Sequence, residues 1–153
     1  MQVKIKKLHE NAVIPSYAKH GDAGMDLTAI SKSCDDRDNF VYGTGLAFEI
    51  PNGYVGLVFP RSSNSKQYLL LSNSVGVIDS GYRGEVILKF KRTLQLYVKG
   101  YEIGDRIGQI IIMPYPKIEF IEVNELSSSD RGVGGFGSTD PITKSIEENY
   151  SVK

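Results

Sequence analysis

The sequence is short of cysteine, histidine, net charge and long apolar runs, and each shortage removes a class of function. There is one cysteine, Cys34, in the polar run Ser33-Cys34-Asp35-Asp36. One cysteine closes no internal disulfide, so the fold needs no oxidising compartment, and Cys34 reads as an inert surface or loop residue. The two histidines, His9 and His20, are too few and too scattered to build a zinc site with it, and both read as solvated surface groups. No Gly-x-Ser-x-Gly elbow or paired Cys/His nucleophile occurs. Lysine plus arginine and aspartate plus glutamate both number 18, so the chain has no general basic face for nucleic acid. A strongly anionic small ligand would need local positive partners instead. No run approaches the roughly 18 apolar residues of a membrane span. Met1-Gln2-Val3-Lys4-Ile5-Lys6-Lys7 carries charge with no apolar stretch after it, so a signal peptide is not expected. The expected address is the cytoplasm, with neither membrane nor nucleic acid as partner.

What the chain does have is a rhythm of short apolar runs and turns. Val3 and Ile5 alternate with polar residues, and Leu46 to Ile50 stops at Pro51-Asn52-Gly53. Tyr54 to Phe59 stops at Pro60, and Leu69 to Leu71 is flanked by serines at a short distance. Val86, Leu88 and Phe90 alternate with Ile87, Lys89 and Lys91; Ile107, Ile110 and Ile112 lead into Met113-Pro114; Ile118, Phe120 and Val123 follow. Runs of this length, rich in β-branched and aromatic residues, are the signature of strands. The best helical candidate is short, Arg61 to Tyr68. The pattern predicts an all-β domain of jelly-roll type over residues 1–126. Residues 127–153, rich in Gly, Ser, Asp and Glu with few apolar anchors, read as a C-terminal arm that is mobile by itself.

Five polar or glycine-rich segments sit beside these runs. In Ala23-Gly24-Met25-Asp26-Leu27, a carboxylate among apolar residues is costly unless paired. Backbone amides at a strand end are its plainest partners. Pro60-Arg61-Ser62-Ser63-Asn64-Ser65 offers a guanidinium, hydroxyls and turn amides to an anion, or simply starts a helix. Asn73-Ser74-Val75-Gly76-Val77-Ile78-Asp79-Ser80-Gly81-Tyr82-Arg83-Gly84 puts Asp79 and Tyr82 on a tight loop and adds an amide, Asn73, suited to a base edge. A structural hairpin turn accounts for Asp79 to Gly81 but not for Asn73. Gly104-Asp105-Arg106-Ile107-Gly108-Gln109 brings Arg106 and Gln109 to the start of a strand, where Arg106 could equally pair with a carboxylate. Arg131-Gly132-Val133-Gly134-Gly135-Phe136-Gly137-Ser138-Thr139 contains G-x-G-x-x-G. It lacks the preceding strand and following helix of a dinucleotide fold. Its exposed amides, a fixed positive fork and a flat ring still suit phosphate and a base.

In this order, the five segments resemble the five motifs of the trimeric dUTPase family, from about Ala23 to Thr139. The resemblance implies a distorted β jelly-roll, a homotrimer with active sites shared between subunits, and hydrolysis of dUTP to dUMP and pyrophosphate with Mg²⁺. It also implies roles for individual residues. Asp79 would activate the attacking water and hold the sugar 3′-hydroxyl. Asn73 and backbone groups near Ile87 would read the uracil edge, with Gly76, Val77 and Ile78 lining that side. Tyr82 would pack under the deoxyribose, leaving no room for a 2′-hydroxyl. Arg61, Ser62, Ser63 and Gln109 would bind phosphates. Arg131 would clamp the γ-phosphate, Ser138 and the amides around Gly137 would cradle it, and Phe136 would stack on uracil. Asp26 would hold a water of the Mg²⁺ shell, the metal itself sitting on the phosphates, as befits an ion that dehydrates reluctantly.

The pattern departs from the family's usual one at Ser63 and Gly108, where glycine and alanine are common, at Gly81 in place of a frequent acid, and at Asp140. Two alternatives compete. A dCTP deaminase of the same fold would need a catalytic glutamate beside the base, and Glu85 is the near candidate. A nucleotide-gated regulatory protein would use the same fold to hold a partner. The arm separates function from stability. A chain ending at Asp130 should melt within a few degrees of the full protein, because the arm has few apolar anchors. It should lose most turnover, because the lid over the nucleotide is gone. Melting temperature and kcat/KM on one truncated preparation check this; unfolding, or full activity, would contradict it.

Overall fold

A computed structural model of the protein describes residues 1–93 and 98–135. The chain divides into two compact units, Met1–Lys117 and Ile118–Lys153. The first unit holds ten strands among the described residues: β1 (Lys4–Lys7), β2 (Met25–Thr28), β3 (Ser31–Cys34), β4 (Phe40–Gly43), β5 (Leu46–Glu49), β6 (Tyr54–Phe59), β7 (Leu69–Leu71), β8 (Gly76–Ile78), β9 (Ile87–Arg92) and β10 (Arg106–Pro114). They form a two-stranded sheet, β1-β5, and two four-stranded sheets, β2-β10-β6-β8 and β3-β4-β9-β7. Each described pairing is antiparallel. This is the all-β jelly-roll architecture that the strand rhythm predicts.

The strands form where the side chains can be sorted onto two faces. In β9, Leu88 and Phe90 are buried while Ile87, Lys89 and Lys91 are exposed, the period of two that places alternate residues on one face. β6 starts from a turn at Gly53, whose positive φ of 81° suits glycine, with the Tyr54 N–H donating to the Pro51 carbonyl. It ends at Pro60, which has no N–H to continue a ladder. The core gathers Leu27, Leu46, Val86, Leu88, Phe90, Ile107 and Ile110, all at most 2% exposed. Tyr42 lies among them with Phe90 and Tyr101, their rings edge-on at 5.4–6.0 Å between centroids. The Tyr42 hydroxyl accepts from the Tyr101 N–H at 2.8 Å and donates to the Tyr101 carbonyl at 3.1 Å, so its polar end is satisfied without water.

Three expectations need correction or extension. The run Ile118, Phe120 and Val123 forms no strand. Phe120 is 93% exposed, and Glu122, two residues on, interrupts the face that Ile118 and Phe120 would share in a strand. The short helical candidate is a single 3₁₀ turn, Ser62–Lys66. β3 carries Ser-Lys-Ser-Cys, with no apolar alternation to announce it; it exists because β4 pairs with it, Ser31 to Gly43 through Cys34 to Phe40. Cys34 is exposed and free, on a strand end. No described helix is long and apolar enough to cross a membrane.

Burial pushes the Tyr42 phenol up from 10.0 to about 12. An unfolded tyrosine ionises at its ordinary value, so the stability tied to this proton is fully present below pH 10 and lost as pH rises towards 12. Urea midpoints measured across that interval should fall in the wild type and fall less steeply in Tyr42→Phe. Equal slopes would remove Tyr42 from the account.

Candidate functional site

The sheet β2-β10-β6-β8 carries a cleft at each of its two edges. At the β2 edge, Asp26 faces two guanidinium groups. Arg61 Nε donates to Asp26 Oδ1 at 2.7 Å, and Arg106 Nη1 donates to Oδ2 at 3.1 Å. Arginines rather than backbone amides therefore satisfy this half-buried carboxylate. Arg61 stands in extended conformation just ahead of the 3₁₀ turn and also donates from Nη1 to Ser63 Oγ at 3.3 Å. Gln109, opposite Asp26 in the β10–β2 register, donates from Nε2 to the Pro60 carbonyl at 3.1 Å. The end of its side chain lies where a Cβ on Gly24 would stand, so a larger residue at Gly24 would displace the Gln109 amide. Asp26, Arg61, Arg106 and Gln109 line one cleft of about 400 Å³ with Asp22 and Gly24. Ser62 and Ser63 open the turn beside it, Ser62 exposed and Ser63 half-buried.

The other cleft, about 260 Å³, lies past β8 and is lined by Val77, Ile78, Asp79, Tyr82, Glu85, Val86 and Ile87. Asp79 and Tyr82 close a tight turn, the Tyr82 N–H donating to the Asp79 carbonyl at 3.0 Å. Asp79 is exposed, and Tyr82 is 44% exposed with its hydroxyl donating to the Glu85 carbonyl at 3.1 Å. The Tyr82 ring lies over Gly84, where any Cβ would collide with it. Asn73 is exposed in the turn leading to β8, its amide nitrogen 3.5 Å from where a Cβ on Gly76 would sit. Ser74, between them, takes a positive φ of 60° to make that turn. Glu85, the one acid near the base side that could serve a deaminase, is already engaged: its Oε1 accepts the Gly45 N–H at 2.7 Å.

The clefts share no lining residue. Strand order puts β2 and β8 at opposite edges, three strand spacings or about 14 Å apart. Asp26 and Gln109 share a row with Phe59, whereas Ile78 shares one with Gly56, three residues further along β6. That adds about 10 Å along the strand. So Asp26, Arg61 and Gln109 are brought together, as are Asp79, Tyr82 and Ile87, but the two groups are kept apart within one chain.

Of the second unit, the turn Ser129 to Gly134 is ordered around Arg131, whose Nε donates to the Gly134 carbonyl at 3.0 Å, while the Gly132 N–H donates to Ser129 Oγ at 3.1 Å. Phe136, Gly137, Ser138 and Asp140 lie outside the described residues. Two of the unusual residues have local reasons. Ser63 accepts from Arg61, and a Cβ on Gly108 would meet Leu88 Cδ2 at 2.5 Å and the Phe59 carbonyl at 3.1 Å; nothing in the structure explains Gly81, which has open space around it. Arg106 pairs with a carboxylate, as one of its two readings had it, and that carboxylate is Asp26. One residue escaped the sequence reading. Asn64, 8% exposed inside the 3₁₀ turn, donates to the Leu69 carbonyl at 2.7 Å and accepts from the Tyr101 hydroxyl at 2.9 Å. A buried amide between serines was the available signal for Asn64, but its partner is 37 positions away.

The family model for dUTPase matches residues 10–140. The chain belongs to the dUTPase family. Among its relatives is the deoxyuridine 5′-triphosphate nucleotidohydrolase of Helicobacter hepaticus, 44% identical over 148 residues, covering 94% of this chain and 92% of that protein. The corresponding protein of Thermobifida fusca is 38% identical over 151 residues, covering 97% of this chain and 84% of that protein. Among solved structures, the Staphylococcus bacteriophage 80alpha dUTPase with dUPNHPP superposes with a TM-score of 0.77 at 31% identity, over 90% of this chain and 97% of that one. That phage protein is described as controlling transfer of virulence genes by a G protein-like mechanism. A dUTPase variant from phage phi11 of S. aureus, TM-score 0.68 at 26% identity over 82% of this chain and 98% of that one, coordinates a structural Mg(II) ion.

Whether a dUTPase-type metal fits this site can be judged from the donors. No group of three or more His, Cys, Asp or Glu side chains converges among the described residues. Asp26 has both oxygens engaged by arginines. This donor set is wrong for a direct cage and right for a hydrated ion carried in on an anion's oxygens.

The crowding at Gly84 gives a local test. Gly84→Ala should push the Tyr82 ring off the Glu85 carbonyl while costing less than about 1 kcal/mol of stability, since the ring is largely at the surface. A crystal structure of the variant with a urea titration checks both; an unmoved ring would contradict the reading.

Proposed function

We propose that this dUTPase-family chain hydrolyses dUTP to dUMP and pyrophosphate in the cytoplasm, as a homotrimer whose sites each join the two clefts from different subunits. The observation that carries the proposal is the turn holding Asp79 and Tyr82 beside Ile87, at the end of β9 that β7 does not cover. It offers a proton acceptor, a flat sugar platform and backbone hydrogen-bonding groups in one cleft. The reacting phosphorus must lie within hydrogen-bond reach of both the base and the phosphate donors. Ile78, which precedes Asp79, lies two strand spacings across and three residues along from Gln109, about 14 Å away, so a neighbour's Arg61 and Gln109 supply what its own chain cannot.

In the proposed reaction, Asp79 accepts a proton from a water as the water oxygen bonds to the α-phosphorus. The bond from the α-phosphorus to the α–β bridging oxygen breaks, and pyrophosphate leaves. Arg61, the hydroxyls of Ser62 and Ser63, and the Gln109 amide meet charge on the phosphates and on the leaving oxygen. Asn73 and the backbone at Ile87 read uracil, and Tyr82 excludes a 2′-hydroxyl. Arg131, Phe136, Gly137 and Ser138 close over the nucleotide. Asp26 would hold Mg²⁺ through water, and the ion supplies neutralisation of the triphosphate charge. Positioning and charge stabilisation carry most of the acceleration, because no covalent intermediate forms.

The deaminase reading is disfavoured by the dUTPase family match and relatives, and Glu85 has one carboxylate oxygen engaged by the Gly45 N–H. The regulatory reading, a partner held by the same fold, is paralleled by what is described for the phage protein.

Asp79→Asn keeps size and hydrogen bonding but removes the proton acceptor, so pyrophosphate release from dUTP should fall by at least about 10²-fold. Binding of a non-hydrolysable dUTP analogue should persist. Near-normal turnover would assign the base elsewhere. Light scattering on the purified protein should give three chain masses, and a fully active monomer would end the shared-site model.

A further inference from the structure

The segment that carries Arg61, Ser62 and Ser63 has little to hold it in place by itself. It is one 3₁₀ turn of five residues, with no side-chain cap at Arg61. Short 3₁₀ turns have poor hydrogen-bond geometry and do not persist unsupported. The N–H of Asn64 donates to the Arg61 carbonyl at 2.9 Å and that of Gln67 to the Asn64 carbonyl at 2.9 Å, and both bonds need the turn already formed.

Asn64 supplies the support. It is one of two buried polar residues among those described, the other being Thr44. Its Nδ2 donates to Leu69, at the start of β7, and its Oδ1 accepts from Tyr101. Tyr101 is itself fixed: it is 4% exposed, packs edge-on to Phe90, and its backbone N–H and carbonyl both bond the Tyr42 hydroxyl. The relay Tyr42–Tyr101–Asn64 therefore runs from the centre of the core to the turn. Tyr101 also precedes the turn at Gly104 and Asp105 that leads into Arg106. The buried relay thus reaches the turn that Arg61 opens.

We infer that Asn64 and Tyr101 are positioning residues for phosphate binding: the Tyr101 hydroxyl, through Asn64, fixes the turn that presents Arg61 and the two serine hydroxyls to the triphosphate. The inference rests on the hydrolase reading of the site. Neither residue touches the nucleotide. A buried amide left with one unpaired atom is costly, so loss of the Tyr101 hydroxyl is relieved by movement of the turn. The sugar cleft lies at the opposite sheet edge and does not share this brace.

The test is Tyr101→Phe, which removes one oxygen, compared with wild type for dUTP turnover, UTP turnover and inhibition by inorganic pyrophosphate. Failure of the wild type to hydrolyse dUTP would sink the hydrolase reading itself. With an active wild type, Tyr101→Phe should lower kcat/KM for dUTP by about tenfold or more, as expected when phosphate donors lose alignment. Pyrophosphate should inhibit several-fold less well, while the dUTP:UTP ratio of kcat/KM stays unchanged. Unchanged pyrophosphate inhibition, or a ratio that falls along with activity, would overturn the inference by showing a general structural defect. Hydrogen exchange on the wild-type protein tests it without a variant. The Asn64 and Gln67 amides should exchange at least about tenfold more slowly than the Tyr82 amide, which bonds within an exposed turn. Equal rates would mean that the turn is not braced.

Discussion

Strand order governs what this molecule can do. The sequence β2-β10-β6-β8 places the carboxylate–arginine cluster at one edge of a sheet and the Asp79–Tyr82 turn at the other. Antiparallel pairing fixes the spacing between strands, and the buried faces of β6 and β10 fix the register, so neither distance can relax without exposing Val58, Ile107 and Ile110. Each chain is left with two clefts that it does not itself join. This separation is the ground for the proposed homotrimer, since in the proposed reaction a proton acceptor and phosphate donors must meet at one phosphorus atom.

The cleft proposed to take the phosphates is electrically balanced. Asp22 and Asp26 offset Arg61 and Arg106 in the same cleft, and Asp26 touches both guanidinium groups. A triphosphate gains little from such a cleft unless more positive charge arrives with it or closes on it. The arm with Arg131 and a hydrated Mg²⁺ on the phosphates are the two sources proposed. Asp26 keeps the arginines oriented while empty, which is preorganisation obtained at the expense of net charge. The scheme also accounts for a chain with no overall charge handling a polyanion: the charges that matter are few and aimed.

Much of this was legible in the sequence where the signal is local. The β6 and β9 boundaries follow from turn residues and alternation, and Asp79 with Tyr82 follows from a glycine-punctuated loop. Asp26 was legible as a carboxylate that must be paired, though not which groups pair it, because Arg61 and Arg106 are distant in sequence and converge through β2 and β10. Asn64 was read as part of a polar turn; its burial depends on Tyr101 and Leu69, which no local pattern links to it. β3 was invisible because its residues are polar and its existence depends on β4. The run from Ile118 to Val123 erred the other way, having strand-like residues on a face that Glu122 interrupts. Phe136 and Ser138, the most distinctive part of the arm, rest on family resemblance.

The central claim is that no single chain holds a complete site, and subunit mixing tests it most directly. Asp79→Asn and Arg61→Ala preparations, each inactive by itself, are unfolded together and refolded as a mixture. If the base comes from one subunit and the phosphate donors from another, some sites regain both intact halves. Random assembly at equal proportions predicts recovery of about a quarter of wild-type activity. Recovery no greater than the sum of the two separate preparations would contradict the account and place the whole site within one chain.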